Sequence, residues 1–456
     1  LVANRGEIAV RIIRSLRELG IKSVAIYSTA DKNSLHVQLA DEAVCVGTAR
    51  PQDSYLNMKN ILAAAVGTGA QAIHPGFGFL SENAEFAKMC EECGITFIGP
   101  QASVIDLMGN KEHTREQMLK SGVPVIPGSK HYLRDGEAAK ALAAKIGYPV
   151  LLKAAAGGGG KGIRRVENAA QMDAEFAEAQ EEARVSFNDD RMYMEKIMEN
   201  VKHIEMQVFR DNQGHAVYFP ERDCSIQRNK QKLIEESPCD LVSESERQHL
   251  GQIALRAVNA IDYHNTGTIE FLMDRDHHFY FMEMNTRIQV EHTVTEMVTG
   301  IDLVKAQVKV AAGEPLPFSQ QDIQAHGHAI ECRINAEDPA RNFMPQTGNI
   351  DYLYLPVGNL GMRIDTALFT GATVTPFYDS MIAKVIAHGK DRTEAISRLR
   401  RLLSEMVIKG VTTNQEFHLA ILKDPVFLKG TATTMFLEKQ FLPKWKVKMN
   451  EAIPTH

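Results

Sequence analysis

The chain has 456 residues, 44% of them hydrophobic and 24% charged, with a formal net charge of −6. That length suggests two to four domains, each large enough for its own core. The mild acidity gives no electrostatic case for binding nucleic acid or an anionic membrane, and no run approaches the roughly eighteen apolar residues of a membrane-spanning helix. The first residues, "LVANRGE", read as a strand entered without an initiating methionine, so a few residues are expected to precede them. Nothing visible resembles a targeting segment. The cysteines at 45, 90, 93, 224, 239 and 332 are scattered. They fit a reducing cytoplasm. Cys90 and Cys93 have metal-like spacing but no further Cys or His to complete a zinc site.

From the N-terminus, apolar strands alternate with amphipathic helices. "LVAN" is a strand, "GEIAVRIIRSLRELG" a helix and "KSVAIYS" a strand; "DSYLNMKNILAAAVGTG" is again a helix. Strand "AQAIHPGF", a helix from Ser81 and strand "GITFIGP" follow. Such alternation implies a parallel sheet over residues 1–100. "ANRGEIAV" carries one glycine and no G-x-G-x-x-G, which removes the main support for a nicotinamide dehydrogenase. "AIHPGFGFLSEN" sets His74, Pro75, Gly76 and Gly78 where ligands dock in open sheets, or forms an ordinary turn and helix cap.

Residues 101–124 read as a helical connector. Residues 125–197 form a small lid: helix "GEAAKALAAKIG", strand "YPVLLK", a glycine loop, a helix from Met172 to Arg184, and strand "RMYMEKIM". In the loop, Gly157 to Gly160 stand between Lys153 and Lys161. Bare amides flanked by ammonium groups suit a phosphate chain, although the spacing is not that of a Walker loop. Residues 198–456 form an α+β body that begins with long strands "HIEMQVFRD" and "HAVYFPERD".

The stretch "TGTIEFLMDRDHHFYFMEMNTRIQVEH" reads as a hairpin. A two-residue loop at Asp276-His277 would set Glu270 opposite Glu283, with Asn285 on the same face. Opposed like charges destabilise a sheet, so two carboxylates and a carboxamide suit magnesium shared with nucleotide phosphates. A register off by one would instead turn both glutamates to solvent. Arg287 suits a small planar oxyanion, and Glu291, four residues on, could act as a base; a structural Arg-Glu pair is the plainer alternative. Arg228, Lys230 and Lys232 form a basic cluster, and Arg333 sits mid-strand where a buried guanidinium requires a partner.

Together "ANRGEIAVRI", "IHPGFGFLSEN", "KAAAGGGGKGI", "ERDCSIQR", "EMNTRIQVEH" and "ECRINAEDP" resemble the biotin carboxylases of the ATP-grasp fold, in order along essentially the whole chain. "EMNTR" with "AIECRINAEDP" is more similar to the subunit of bacterial acetyl-CoA carboxylase than to pyruvate carboxylase. The resemblance implies an N-terminal parallel α/β domain, a lid and a C-terminal α+β body. ATP would be bound by Lys111, Lys153, Gly159, Gly160, Glu195, Lys196, Met198, His203, Gln227, Lys230, Glu270 and Glu283. Magnesium or manganese would sit on Glu270, Glu283 and Asn285. Bicarbonate and biotin would meet Lys232, Arg287, Gln289, Val290, Arg333 and Phe77, with Glu291 as base. The catalytic set is thus Glu291, Arg287, Arg333 and Lys232. Three departures from many relatives stand out: Ala156, Phe77 and Lys230 replace a glycine, an aromatic hydroxyl and a histidine.

The implied reaction is the first half-reaction of acetyl-CoA carboxylase in fatty acid synthesis. Bicarbonate attacks the γ-phosphate of ATP, and the carboxyphosphate formed delivers its carbon to biotin. The chain has no A-M-K-M motif, so biotin is expected on a biotin carboxyl carrier protein, with carboxyltransferase subunits downstream. A cytoplasmic homodimer is also implied, with Arg11 and Arg14 near the contact. Alternatives are the corresponding part of pyruvate or another acyl-CoA carboxylase, a different ATP-grasp ligase, or a silent nucleotide-binding scaffold.

Overall fold

The computed structural model describes residues 1–154, 162–187 and 189–445. The N-terminal unit is parallel throughout. Val24–Ser28 pairs with Glu42–Gly47 and Ala72–Ile73 with Thr96–Phe97, while Val2 bridges both Ala25 and His74. The helix Gly6–Glu18 buries Ile8, Ala9, Ile12, Ile13 and Leu16, the stripe a helical period places on one side.

Two helix starts differ from the sequence expectation. The second main helix begins at Met58, because Asn57 accepts a hydrogen bond from the Asn60 amide. The helix expected from Ser81 begins at Ala84, where the Asn83 side chain accepts from Phe86 N at 2.7 Å. An asparagine cap satisfies an otherwise orphaned amide, and it wins over the serine. Ahead of it, Gly76 at φ +63° lies so close to Asn4 that an added Cβ would sit 2.9 Å from its amide nitrogen. Only glycine fits there.

The connector forms two helices, Ala102–Gly109 and Lys111–Lys120. Next comes a three-stranded antiparallel sheet in the order Ile163–Val166, Val150–Ala154, Met192–Lys196. The helices Gly136–Ile146 and Met172–Phe187 cover it, with a core that includes Ala139, Val150, Leu152, Phe176 and Met194.

The body is built on a nine-stranded antiparallel sheet. Its spatial order is Phe279–Asn285, Asn265–Met273, Lys202–Arg210, Arg222–Arg228, Gln231–Ser237, His328–Asn335, Met381–Gly389, Met362–Thr366, with Ala216–Tyr218 beside Lys202–Arg210. "HAVYFPERD" is therefore two strands, broken around Pro220, which has no amide to give a ladder. On Lys202–Arg210, His203, Glu205 and Gln207 alternate with Ile204, Met206 and Val208, and all six are buried. The apolar set packs with Leu250, Ile253 and Ala257 of the helix Glu244–Ala260. The polar set is held on the other face, and that face carries the chemistry.

Candidate active site

A row of charge crosses four strands on this polar face. Glu283 pairs with Glu270, Glu270 with Glu205, and Glu205 with Arg222. The Glu270–Glu283 register is the one expected, but it arises differently. The loop spans five residues, 274–278, rather than two, and Met282 bulges out, restoring the offset at Glu270.

Lys232 is the hub of the site. Its ammonium lies 2.6 Å from Glu205 Oε2, 2.9 Å from Glu270 Oε1 and 2.6 Å from Glu291 Oε1. Glu291 is fully buried, and its Oε2 accepts from Arg333 NH2 at 2.9 Å. Arg333 in turn donates through Nε to Glu235 Oε1 at 2.5 Å, so the mid-strand arginine has its partners. Arg222 donates to Glu205, Gln207, Thr268 and Thr295. Burying this many charges is tolerable only because each carboxylate faces a cation.

Electrostatics follow from these contacts. Burial alone would push the His203 imidazole down, but Glu270 at 3.2 Å and Glu205 at 3.6 Å together outweigh it and raise His203 to about 9. Burial pulls Glu270, Glu205 and Glu291 upward, yet Lys232, Arg222, Arg333 and His203 hold all three below the ordinary carboxylate range. Glu235 is the exception. Burial carries it to about 8 despite Arg333. Opposed shifts within one cluster mark a site built for charge chemistry.

Other residues singled out in the sequence make their own contacts nearby. Asn285 and Gln289 both donate to Glu270 Oε1, at 2.9 and 3.0 Å. Arg287 does not pair with Glu291. It donates to Glu82, Asn285, Gln289 and the Ile288 carbonyl, fixed by a carboxylate from the N-terminal unit. The Val290 carbonyl accepts from Lys384, and the Phe77 ring lies under the same ammonium. Gln227 contacts His203 Nδ1 at 3.1 Å.

The nucleotide candidates are more dispersed. Lys153 pairs with Glu195 across adjacent lid strands, whereas Lys196 turns its ammonium to the Ile146 carbonyl at 2.8 Å. Met198 is half-buried just past that strand. Lys230 and Asn229 make a two-residue hairpin turn with φ of +64° and +50°, so Lys230 stands exposed at the tip. Arg228 of the same basic run turns away and stacks over Phe343. Lys111 opens the helix Lys111–Lys120. Gly159 and Gly160, with the rest of 155–161, lie outside the described residues.

Glu270 and Glu283 stand directly opposed in the ladder, two oxygen donors of the kind a hard cation takes. Asn285 turns its amide nitrogen to Glu270 and its oxygen to Arg287, and would have to release Arg287 to add a third. His203, Glu205 and Glu270 also cluster within 4.8 Å. Here the two carboxylates flank the imidazole as an ion cluster, with Glu270 at 3.2 Å and Glu205 at 3.6 Å from His203 Nε2.

A charged sheet face, a smaller lid sheet bearing a lysine before a glycine loop, and opposed carboxylates define an ATP-grasp ligase. Family comparisons agree along the chain. Residues 1–105 match "Biotin carboxylase, N-terminal domain", 110–319 "Carbamoyl-phosphate synthase L chain, ATP binding domain", and 331–439 "Biotin carboxylase C-terminal domain". Biotin carboxylase 1 of Bacillus subtilis is 53% identical over 96% of this chain and 97% of its own. The crystal structure of a biotin carboxylase subunit of pyruvate carboxylase superposes at TM-score 0.86, with 52% identity over 97% of each chain. The biotin carboxylase domain of Hydrogenobacter thermophilus 2-oxoglutarate carboxylase, solved as a dimer with MgADP, ADP and bicarbonate, superposes at TM-score 0.89 with 49% identity over 96% of each chain. The chain belongs to the biotin carboxylase family.

Sequence reasoning missed Glu205, Arg222, Glu235 and Lys384. A signal existed for Glu205, since His203, Glu205 and Gln207 alternate with apolar residues and share one face. Lys384 sits singly in an apolar strand, where only the need of a lone charge for a partner marks it, and Glu235 lies beside Glu236 in "QKLIEES", where nothing local tells the two apart.

Proposed function

We propose that this chain uses ATP and bicarbonate to carboxylate biotin presented on a separate carrier protein. The observation that carries the reading is Glu291, fully buried and gripped on one oxygen by Lys232 and on the other by Arg333. A buried, ionised carboxylate beside an oxyanion-binding surface can take a proton, and its basicity would rise as substrate draws Lys232 and Arg333 away from it. Bicarbonate would meet Lys232, Arg287, Gln289 and the Val290 backbone, and Glu291 would take its proton as it attacks the γ-phosphate. Arg333 would then meet the biotin ureido oxygen once substrates displace part of its hold on Glu291.

ATP would lie between lid and body. Lys111, Lys153, Gly159, Gly160, Glu195, Lys196, Met198, Gln227, Lys230 and the His203 imidazolium would surround it. Of these, Lys196 would contribute through its backbone, because its ammonium is engaged at Ile146. Glu270, Glu283 and Asn285 would hold magnesium or manganese, which supplies charge neutralisation to the phosphates.

Two of the relatives belong, by name, to carboxylases of different acceptors, pyruvate and 2-oxoglutarate, at nearly the identity of the Bacillus subtilis protein. That spread supports a biotin carboxylase of pyruvate or another carboxylase better than the acetyl-CoA enzyme alone. A homodimer is favoured by the dimeric relative. Arg11 is bound within the chain to Glu296 and Asp302, so Arg14, which is exposed, is the better contact candidate. The test is phosphate release from ATP and magnesium with free biotin. Turnover should require bicarbonate and rise with biotin; ATP cleavage indifferent to both would overturn the reading.

A further inference from the structure

Lys384 is fully buried in the middle of an apolar strand, Met381–Gly389, with sequence "MIAKVIAHG". Taking an ammonium out of water is costly, so its partners show what it is for. In the ladder it pairs with Arg333 on one side and Asp365 on the other, which puts it on the face that carries the site. Its Nζ donates to the Val290 carbonyl at 2.8 Å. Glu7, on the first helix, stands 3.2 Å away, yet neither Glu7 oxygen has an aligned hydrogen bond. Burial lifts Glu7 to about 7 against the pull of Lys384. A lysine with a carboxylate in reach thus gives its aligned hydrogen bond to a neutral carbonyl.

That carbonyl shares a rigid peptide plane with the Glu291 amide, so fixing it fixes where the Glu291 side chain departs from the backbone. Glu291 is the N-cap of the helix His292–Thr299, and its side chain makes no cap bond there. It reaches Lys232 and Arg333 instead. The Phe77 ring, 5.8 Å from Lys384 Nζ, closes the same junction from the N-terminal unit. A helix and a loop of the N-terminal unit and a loop of the body therefore meet on one ammonium carried by a body strand.

We propose that Lys384 is a positioning residue for this reaction: by holding the Val290 carbonyl it orients Glu291 between Lys232 and Arg333. The proposal rests on Glu291 being the base. In the full chain, Lys384→Met keeps stem length and loses the donor. It is expected to lower kcat for bicarbonate-dependent phosphate release about tenfold to a hundredfold, the scale of a misplaced catalytic group, with KM for ATP within twofold. Lys384→Arg keeps a cationic donor and should recover most of kcat; it also serves if the methionine variant does not fold. Glu7→Gln leaves the carbonyl bond in place and should stay within twofold of the parent.

A Glu7→Gln loss as large as that of Lys384→Met would assign the effect to the ion pair and overturn the proposal. So would Lys384→Met with parental kcat, or Lys384→Arg no better than methionine while KM for ATP is unchanged. Glu291→Gln run alongside separates the two layers. If it turns over like the parent, the base assignment has failed. If it is dead while Lys384→Met is unaffected, only the positioning role has failed.

Discussion

The Lys232 ammonium sits 2.6 Å from Glu291 Oε1, the first nearly buried and the second wholly so. Glu205 and Glu270 crowd the same ammonium, which makes Lys232 the cation that lets three carboxylates share one pocket. Lys232→Met would leave those buried charges facing one another. Removing one partner of a buried pair costs roughly 3–5 kcal/mol. Urea denaturation should show a loss of that size, together with the loss of bicarbonate-dependent turnover. A variant as stable as the parent would mean that the carboxylates find another counter-charge.

Gly410 offers a purely steric test away from the site. Its φ is +108°, and an added Cβ would lie 1.8 Å from the Asn349 carbonyl oxygen. Backbone cannot yield as a flexible side chain does. The strained φ alone costs on the order of 1–3 kcal/mol, and the clash adds to it. Gly410→Ala should therefore lower the thermal midpoint clearly while leaving ATP affinity in the surviving folded fraction unchanged.

Glu236 governs an acid limb of stability. Burial raises its carboxyl, but His328 at 2.8 Å and Arg392 at 2.6 Å more than reverse that, holding it at about 2. A depressed folded-state value stabilises the protein above the unfolded carboxyl range, near 4.5, and the contribution fades as pH falls toward 2. Thermal melts of the parent should decline across that window. Glu236→Gln should melt lower at pH 6 and show a shallower decline, so parallel curves for the two proteins would count against this assignment.

How much was legible beforehand depended on periodicity. The alternating units, the lid helices and the Glu270–Glu283 pairing follow from periods of 3.6 and 2, which a short bulge or a five-residue loop does not erase. The hairpin shows the limit: the loop length was wrong, and Met282 compensated because a bulge shifts register by one residue. Helix starts at Asn57 and Asn83 were missed because capping competes among neighbouring polar residues, and only geometry decides. In the site, residues inside dense motifs were visible, whereas Arg287's bond to Glu82 joins positions 205 residues apart in sequence. No local pattern carries that. Lys384 and Glu235 were silent for the same reason, since their partners come from distant parts of the chain.

Glu291 remains the residue on which the functional reading turns. Lys232 and Arg333 hold its carboxylate ionised, below the ordinary range, although burial opposes this. An ionised carboxylate can accept the proton that bicarbonate must lose, and the two cations beside it offset the charge that develops. Glu291→Gln keeps the size and most of the contacts but cannot take a proton. Losing a general base slows a reaction by about two to four orders of magnitude. The variant is therefore expected to bind ATP with magnesium near the parental affinity by calorimetry, while bicarbonate-dependent, biotin-stimulated phosphate release falls by that factor. Because the amide also leaves Lys232 and Arg333 with one negative charge fewer, stability and nucleotide affinity should be measured on the same preparation. Turnover within threefold of the parent, in protein that binds ATP normally, would show that the proton leaves by another route and that the Lys232–Glu291–Arg333 chain serves structure alone.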